Sequence, residues 1–304
     1  MRRVLDVSRS AIPFLDDVPI GSSSPEEHLE DLVDTLDRLT DSCLRINLKK
    51  SHFFRKTLLL LGQTFSADGI SIDKRKLVDV ENWPRPISGK DIERYLGLVN
   101  YFRDYIPCYS TLAAPLESMR KMKEITEQDW IGDRVHAFEG LKSVLREGLF
   151  LHFPNFEEPF FVATDASDVG VGAVLYQLRD GAKEDVSANR LYNLFAARAL
   201  HSSERNYSAT KKELLGIVIA LKRFHYFLWG RHFILYTDHR ALTFLFTQKD
   251  PSPFMSNWID VLLSYDFSIV HRPGILNFLP DALSRLCPAA DDLSDQERHK
   301  VERL

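Results

Sequence analysis

The sequence predicts an α+β, or α/β, protein whose larger part is a mixed sheet with helices on its faces, preceded by a helical region and a short β-containing segment. Three observations predict it. Beyond Pro154 three strand-like segments follow one another, and after Ser208 helices and strands alternate. Between residues 73 and 150 apolar side chains recur at helical spacing without a convincing strand. Ahead of residue 73, short apolar runs are parted by Gly, Ser and Asp turns.

Taken in order, Ala11 to Phe14 reads as a short strand entering an acidic turn at Asp16 and Asp17, and Gly21 to Pro25 as a loop. From Glu26 the residues Leu29, Leu32, Val33, Leu36 and Leu39 form one apolar face of an amphipathic helix. Thr57–Phe65 and Ile70–Ile72 read as two strands joined by a turn at Asp68-Gly69. Asp91 to Tyr105 carries Ile92, Tyr95, Leu96, Val99 and Phe102 on one stripe before Pro107, and Phe138 to Leu149 gives a further helix.

Pro159–Thr164, Gly172–Leu178 and Leu191–Ala197 are the three successive strands, with a polar, variable hairpin at 179–190. Then come a long helix from Ser208 to about Phe227, a strand His232–Thr237, a short helix after Arg240, a helix at Phe254–Leu263, a strand Phe267–His271 and a last helix near Pro280. The divisions expected are 1–73, 74–154 and 155–286, followed by a charged tail over 287–304.

Composition is that of an ordinary globular chain, with 44% hydrophobic and 27% charged residues. Cys43, Cys108 and Cys287 fit neither a disulfide framework nor a zinc pattern, so reduced thiols are expected. No apolar run approaches the roughly 18 residues of a membrane span, and MRRVLDVSRSAIPF is no signal peptide. A soluble, intracellular protein of cytoplasm or nucleus, without a membrane partner, is the expectation. The net charge of −4 does not decide whether it binds nucleic acid, because metal-binding carboxylates lower net charge while basic strips persist locally.

Four carboxylates stand where sheet and helices should meet. Asp165 and Asp238 end strands, Glu213 lies one turn into the long helix beside Leu214, Ile217, Val218 and Leu221, and Asp281 follows Pro280 at a helix start. A charge closing a buried strand is costly unless paired. Gathered carboxylates repel, and hard oxygen ligands suit Mg²⁺ or Mn²⁺. Two such ions about 3.5–4 Å apart serve in-line displacement at phosphorus. Each residue alone also has a structural reading: a turn former, a solvated helix residue, or an anion at a helix start.

The segments FVATDASDVGVGAVLYQ (161–177), SERNYSATKKELLGIVIALKRFHYFLWGRHFILYTDHRAL (203–242) and SIVHRPGILNFLPDALSR (268–285) resemble the RNase H domain of gypsy-type LTR retrotransposon Pol polyproteins. That resemblance implies an RNase H-like fold in which Asp165, Glu213, Asp238 and Asp281 bind two Mg²⁺ or Mn²⁺ ions. It implies hydrolysis of the RNA strand of RNA–DNA hybrids.

Upstream, Phe14-Leu15-Asp16-Asp17 is similar to the paired-aspartate signature of reverse transcriptase, 26–53 and 58–73 look like the end of its palm, and 90–121 looks like thumb and connection. The resemblance covers about residues 11–286. Thirteen residues precede Phe14, none resembling the third polymerase carboxylate, and Pro19 interrupts the strand expected after Asp17. Asp16 and Asp17 are therefore expected to be vestigial metal ligands of a truncated palm, and this chain alone is expected not to polymerise DNA. Pro280 stands where the family usually has Ala, and Leu194–Arg198 departs from its usual Tyr-Ala-Ser-Arg; neither change touches the four carboxylates.

His271, ten positions before Asp281, suits protonation of a leaving oxygen, or equally a strand-end His bonded to backbone. His239 and Arg240 are candidates for phosphate contact, and Lys49, Lys50, Arg55, Lys56, Arg120, Lys121 and Lys123 for backbone-tracking strips; solvated faces explain them as well. The expected partner is an RNA–DNA hybrid, with other Pol segments or a second copy as further partners. The rival readings are a non-catalytic nucleic-acid-binding remnant and an integrase-like or resolvase-like enzyme. Glu213 on its helix, between the two strand-end aspartates, argues against the last.

Overall fold

The computed structural model describes residues 2–5, 10–106, 109–147, 150–182, 185–186, 189–240, 242 and 253–272. Two compact units divide it, 1–67 and 68–304.

In the first unit, helix α1 (Arg2–Leu5) precedes a ladder in which Phe14 and Asp17 exchange backbone hydrogen bonds of 2.8 and 2.9 Å and Ile12 N–H reaches Pro19 O. Asp16 and Asp17 thus occupy an exposed turn, with Leu15 at φ 51°. Helix α2 (Pro25–Asp41) begins where Ser24 Oγ accepts from Glu27 N–H and Pro25 supplies a preset φ. Of its predicted apolar face Leu39 is buried, while Leu29 and Val33 are 54% and 50% exposed.

The expected single strand 57–65 is instead a hairpin of β1 (Leu58–Leu60) and β2 (Gln63–Phe65), with Leu60 paired to Gln63. Leu61 and Gly62 form its two-residue turn at φ 51° and 73°, the positive pair such a turn demands. A leucine in that conformation gives no turn signature, so the sequence reads as uninterrupted strand.

The second unit opens with β3 (Gly69–Ile72), whose Gly69 lies so close to Leu151 O that a Cβ there would meet it at 2.1 Å. Helices α3 (Lys74–Glu81), α4 (Gly89–Asn100), α5 (Tyr109–Glu117) and α6 (Asp133–Glu147) follow, and then β4 (Leu151–His152), antiparallel to β3. The predicted stripe Ile92, Tyr95, Leu96, Val99, Phe102 is wholly buried, extending past α4 into a short 3₁₀ turn at Arg103–Tyr105.

Strands β5 (Phe160–Ala166), β6 (Gly170–Leu178) and β7 (Arg190–Ala199) are consecutive and antiparallel; helices α7 (Ala209–Arg223) and α8 (His225–Leu228) lead to β8 (His232–Thr237), and α9 (Pro253–Leu263) to β9 (Asp266–His271). The sheet order is β7-β6-β5-β8-β9, with β5, β8 and β9 mutually parallel. This is an RNase H-like mixed sheet with flanking helices.

Both faces of the sheet are covered, which is why β5 reads as a continuous apolar run. Phe161 and Ala163 share a core with Tyr95, Phe102, Phe138 and Leu141 of the helical region, while Phe160 and Val162 pack with Leu214, Ile217, Val218 and Leu221 of α7. Fully burying each of those aliphatic side chains contributes about 1.5–3 kcal/mol. Among the described residues no helix is long and apolar enough to cross a membrane.

Candidate active site

Parallel pairing places two aspartates at one sheet edge. Ala163 is in register with Tyr236, and two residues further along each strand stand Asp165 and Asp238. Helix α7 brings the third group: Ser208 caps it by accepting from Lys211 N–H, and Glu213, one turn in, is 7% exposed. Glu213 Oε1 accepts from Ala166 N–H at 3.2 Å, which ties helix to strand end, while its Oε2 is buried without a hydrogen-bond partner.

The electrostatics follow from this crowding. Burial, then the negative charge of Asp238, raises the Asp165 carboxyl above the usual range, although Ala166 N–H opposes the rise. Glu213 is pushed up to about 8 by burial first, then by Asp238 and Asp165. The three predicted carboxylates therefore feel one another. They are not drawn together round a single point: among the described residues no group of three His, Cys, Asp or Glu could hold a metal ion. Asp281, the fourth expected ligand, lies outside the described residues, as do Pro280 and the last predicted helix. In kind the donors fit a hard divalent cation, since all are carboxylate oxygens and Glu213 Oε2 is a buried acceptor with no donor.

His271 takes the backbone-bonded form. It ends β9 opposite Thr237, and its Nε2–H donates to Asp238 O at 3.0 Å, so the ring braces the strand end that carries Asp238. His239 is bonded through Nε2 to Thr210 Oγ1 on α7 at 2.8 Å, and Arg240 is exposed. In the turn after β5, Ser167 Oγ donates to Gly170 O and accepts from Gly170 N–H, and Lys212 Nζ reaches Asp168 Oδ1 at 2.6 Å. The basic residues at 49, 50, 55, 56, 120, 121 and 123 are exposed, and Arg120 pairs with Glu117.

One cluster near this edge went unread in the sequence. Asp185, in the hairpin taken as polar and variable, receives hydrogen bonds from Tyr176, Arg190 and Arg272. Arg272 beside His271 was its only trace in the sequence, and its partner lies 87 residues away.

Residues 155–265 match the family model described as an RNase H-like domain found in reverse transcriptase. Curated relatives include the retrovirus-related Pol polyprotein from transposon 297 of Drosophila melanogaster, 34% identical over 97% of this chain and 27% of the relative. The Pol polyprotein from transposon gypsy of the same species is 30% identical over 90% of this chain and 26% of the relative. The chain spans about a quarter of the length of these relatives. Among solved structures, the foamy viral protease-reverse transcriptase in complex with RNA/DNA hybrid superposes with a TM-score of 0.71 at 19% identity, over 97% of this chain and 38% of the other. The same enzyme's dRH form with double-stranded DNA gives 0.72 at 19% identity, over 89% and 47%. At that identity the likeness is one of fold. The homologues of this chain are thus the Pol polyproteins of gypsy and related LTR transposons, and its residues 155–265 form their RNase H-like domain.

Proposed function

We propose that this chain is a ribonuclease H, an endonuclease that hydrolyses the RNA strand of RNA–DNA hybrids with Asp165, Glu213, Asp238 and Asp281 as ligands of two Mg²⁺ or Mn²⁺ ions. One observation carries the reading: three carboxylates on β5, α7 and β8 raise one another's proton affinity, and the most buried of them presents an unpartnered oxygen. Structural ion-pair networks also perturb carboxyls, but here no cation among the described side chains neutralises Glu213.

When bound, the ions supply positive charge at the attacking and leaving oxygens of an in-line displacement at phosphorus. Glu213, protonated at neutral pH in the ion-free chain, gives up that proton to become a ligand, and Ala166 N–H fixes its carboxylate plane. Asp238 is held by His271 through its own carbonyl. We assign His271 a second task, protonating the leaving oxygen, which requires the ring to release Asp238 O.

The hybrid would be recognised by shape and phosphate, with the exposed lysines and arginines of 49–56 and 120–123 following the backbone. A foamy viral neighbour is itself a complex with such a hybrid. Other Pol segments or a second copy would complete the polymerase: Asp16 and Asp17 are proposed as vestigial ligands of reverse-transcriptase type, in an exposed turn with no third carboxylate gathered among the described residues. The site of action is proposed to be cytoplasm or nucleus.

A second reading, a nucleic-acid-binding remnant without catalysis, is favoured by the absence of a gathered metal-holding group among the described residues. The experiment that separates them follows a labelled RNA–DNA hybrid in Mg²⁺, in Mn²⁺ and in excess chelator, with duplex DNA alongside. RNA-strand cleavage that needs the metal and spares the duplex supports the nuclease. Binding of the hybrid without cleavage by a folded chain supports the remnant.

A further inference from the structure

Arg272 does two things at the end of β9. Its backbone N–H donates to Thr237 O at 3.0 Å, and its side chain leaves the strand to meet Asp185. Asp185 belongs to the β6–β7 connection, two strands away from β8 in the sheet order. Arg272 Nη1 donates to Asp185 Oδ2 at 2.6 Å and Nη2 to Asp185 O at 3.0 Å, so the guanidinium grips both side chain and backbone of one residue.

The grip is built into a closed charge cluster. Asp185 also accepts from Arg190 Nε at 2.7 Å and Tyr176 OH at 2.9 Å. Side-chain exposure is 12% for Asp185, 4% for Arg190 and 36% for Arg272. Beneath it the rings of Tyr176 and Tyr236 flank Phe161 in a stack, with Arg190 over Tyr176 and Arg272 over Tyr236. A carboxylate this enclosed, with both oxygens engaged, fixes its partners far better than an exposed pair would.

We infer that Asp185 is a positioning residue for the nuclease site: it clamps Arg272 so that the adjacent His271 and the Arg272 N–H hold the Thr237–Asp238 strand end in place. The inference rests on the ribonuclease H reading. Removing the clamp frees the end of β9 and, with it, the brace on Asp238 O, while every proposed ligand and every phosphate-tracking residue stays. Loss of such an outer support lowers activity about 10–100-fold in metal sites. The loss should fall on kcat with KM unchanged, because substrate contacts are untouched.

The test uses Arg272→Gln, which breaks the clamp but leaves Asp185 with Arg190 and Tyr176, together with Asp185→Asn and the double variant. Cleavage of the labelled hybrid is followed below the melting transition of each protein, and amide hydrogen exchange is mapped over 232–238 and 266–272. Arg272→Gln should lower kcat about tenfold, leave KM unchanged and speed exchange at the joined ends of β8 and β9. The double variant should lose no more kcat than the worse single one. Unchanged exchange, unchanged kcat, or additive losses in the double variant would each overturn the clamp. A wild-type chain that leaves the hybrid whole defeats the nuclease reading, and in that case the exchange measurement still decides whether Asp185 holds the strand ends.

Discussion

Helices α2 and α7 look alike as sequence and end in different circumstances. Both carry apolar residues at helical spacing, both are capped by serine, and both stand near acidic pairs. Helix α7 buries Leu214, Ile217, Val218 and Leu221 against a five-stranded sheet and carries Glu213 into that burial. Helix α2 leaves Leu29 and Val33 half in solvent, and the Asp16–Asp17 turn of its unit is exposed. Periodicity shows which side of a helix is apolar; it does not show that a partner lies within the same chain. Carboxylate chemistry divides along the same line, since only the buried unit raises the proton affinity of its acids.

The largest expected effect tests burial directly. Leu221→Ala should destabilise the fold by about 2–5 kcal/mol in denaturant unfolding, through lost transfer energy and the cavity left behind. A loss below about 1 kcal/mol would mean that α7 does not hold the core as described.

The next effect is electrostatic. In the folded, metal-free chain Glu213 keeps its proton up to about pH 8, whereas in the unfolded chain it gives it up near the model value of 4.5. Between those values the folded state binds the extra proton, so stability falls as pH rises through that window. The raised Asp165 carboxyl adds a contribution of the same sign. Glu213→Gln should flatten this slope and stabilise the chelator-treated protein at pH 8 by on the order of 1 kcal/mol or more. Thermal melts from pH 5 to pH 8 would show it, and a wild-type stability that climbs with pH across that range would contradict the buried, crowded carboxyl. Added Mg²⁺ should raise the wild-type melting temperature at pH 8 and leave Glu213→Gln nearly unmoved.

The smallest effect is the counterpart on α2. Leu29→Ala should change stability by no more than about 0.5 kcal/mol, as substitutions at exposed positions do. A cost like that of Leu221→Ala would show that Leu29 is covered in solution and would erase the contrast.

Much of this was legible in the sequence. Strands β5 to β9 and the α4 and α7 stripes come from strong period-2 and period-3.6 patterns whose burial the tertiary structure honours. Asp165, Glu213 and Asp238 stand out because charges beside buried segments are unusual. What stayed hidden was set by backbone or by long-range contact. The Leu61-Gly62 turn depends on a leucine at positive φ, α5 contains Pro115 within its span, and β4 is two residues long. Asp185 looked like one more polar loop residue because the arginine that gives it meaning arrives only through the fold.

The central claim is that the buried carboxylates of the second unit, and not the exposed pair of the first, perform metal-dependent cleavage. The measurement is RNA-strand cleavage of a labelled hybrid in Mg²⁺ by wild type, Asp238→Asn and Asp17→Asn, each shown to be folded. Cleavage retained in Asp17→Asn and abolished in Asp238→Asn is the predicted result. Cleavage that survives in Asp238→Asn, or is absent from the folded wild-type chain, would contradict it.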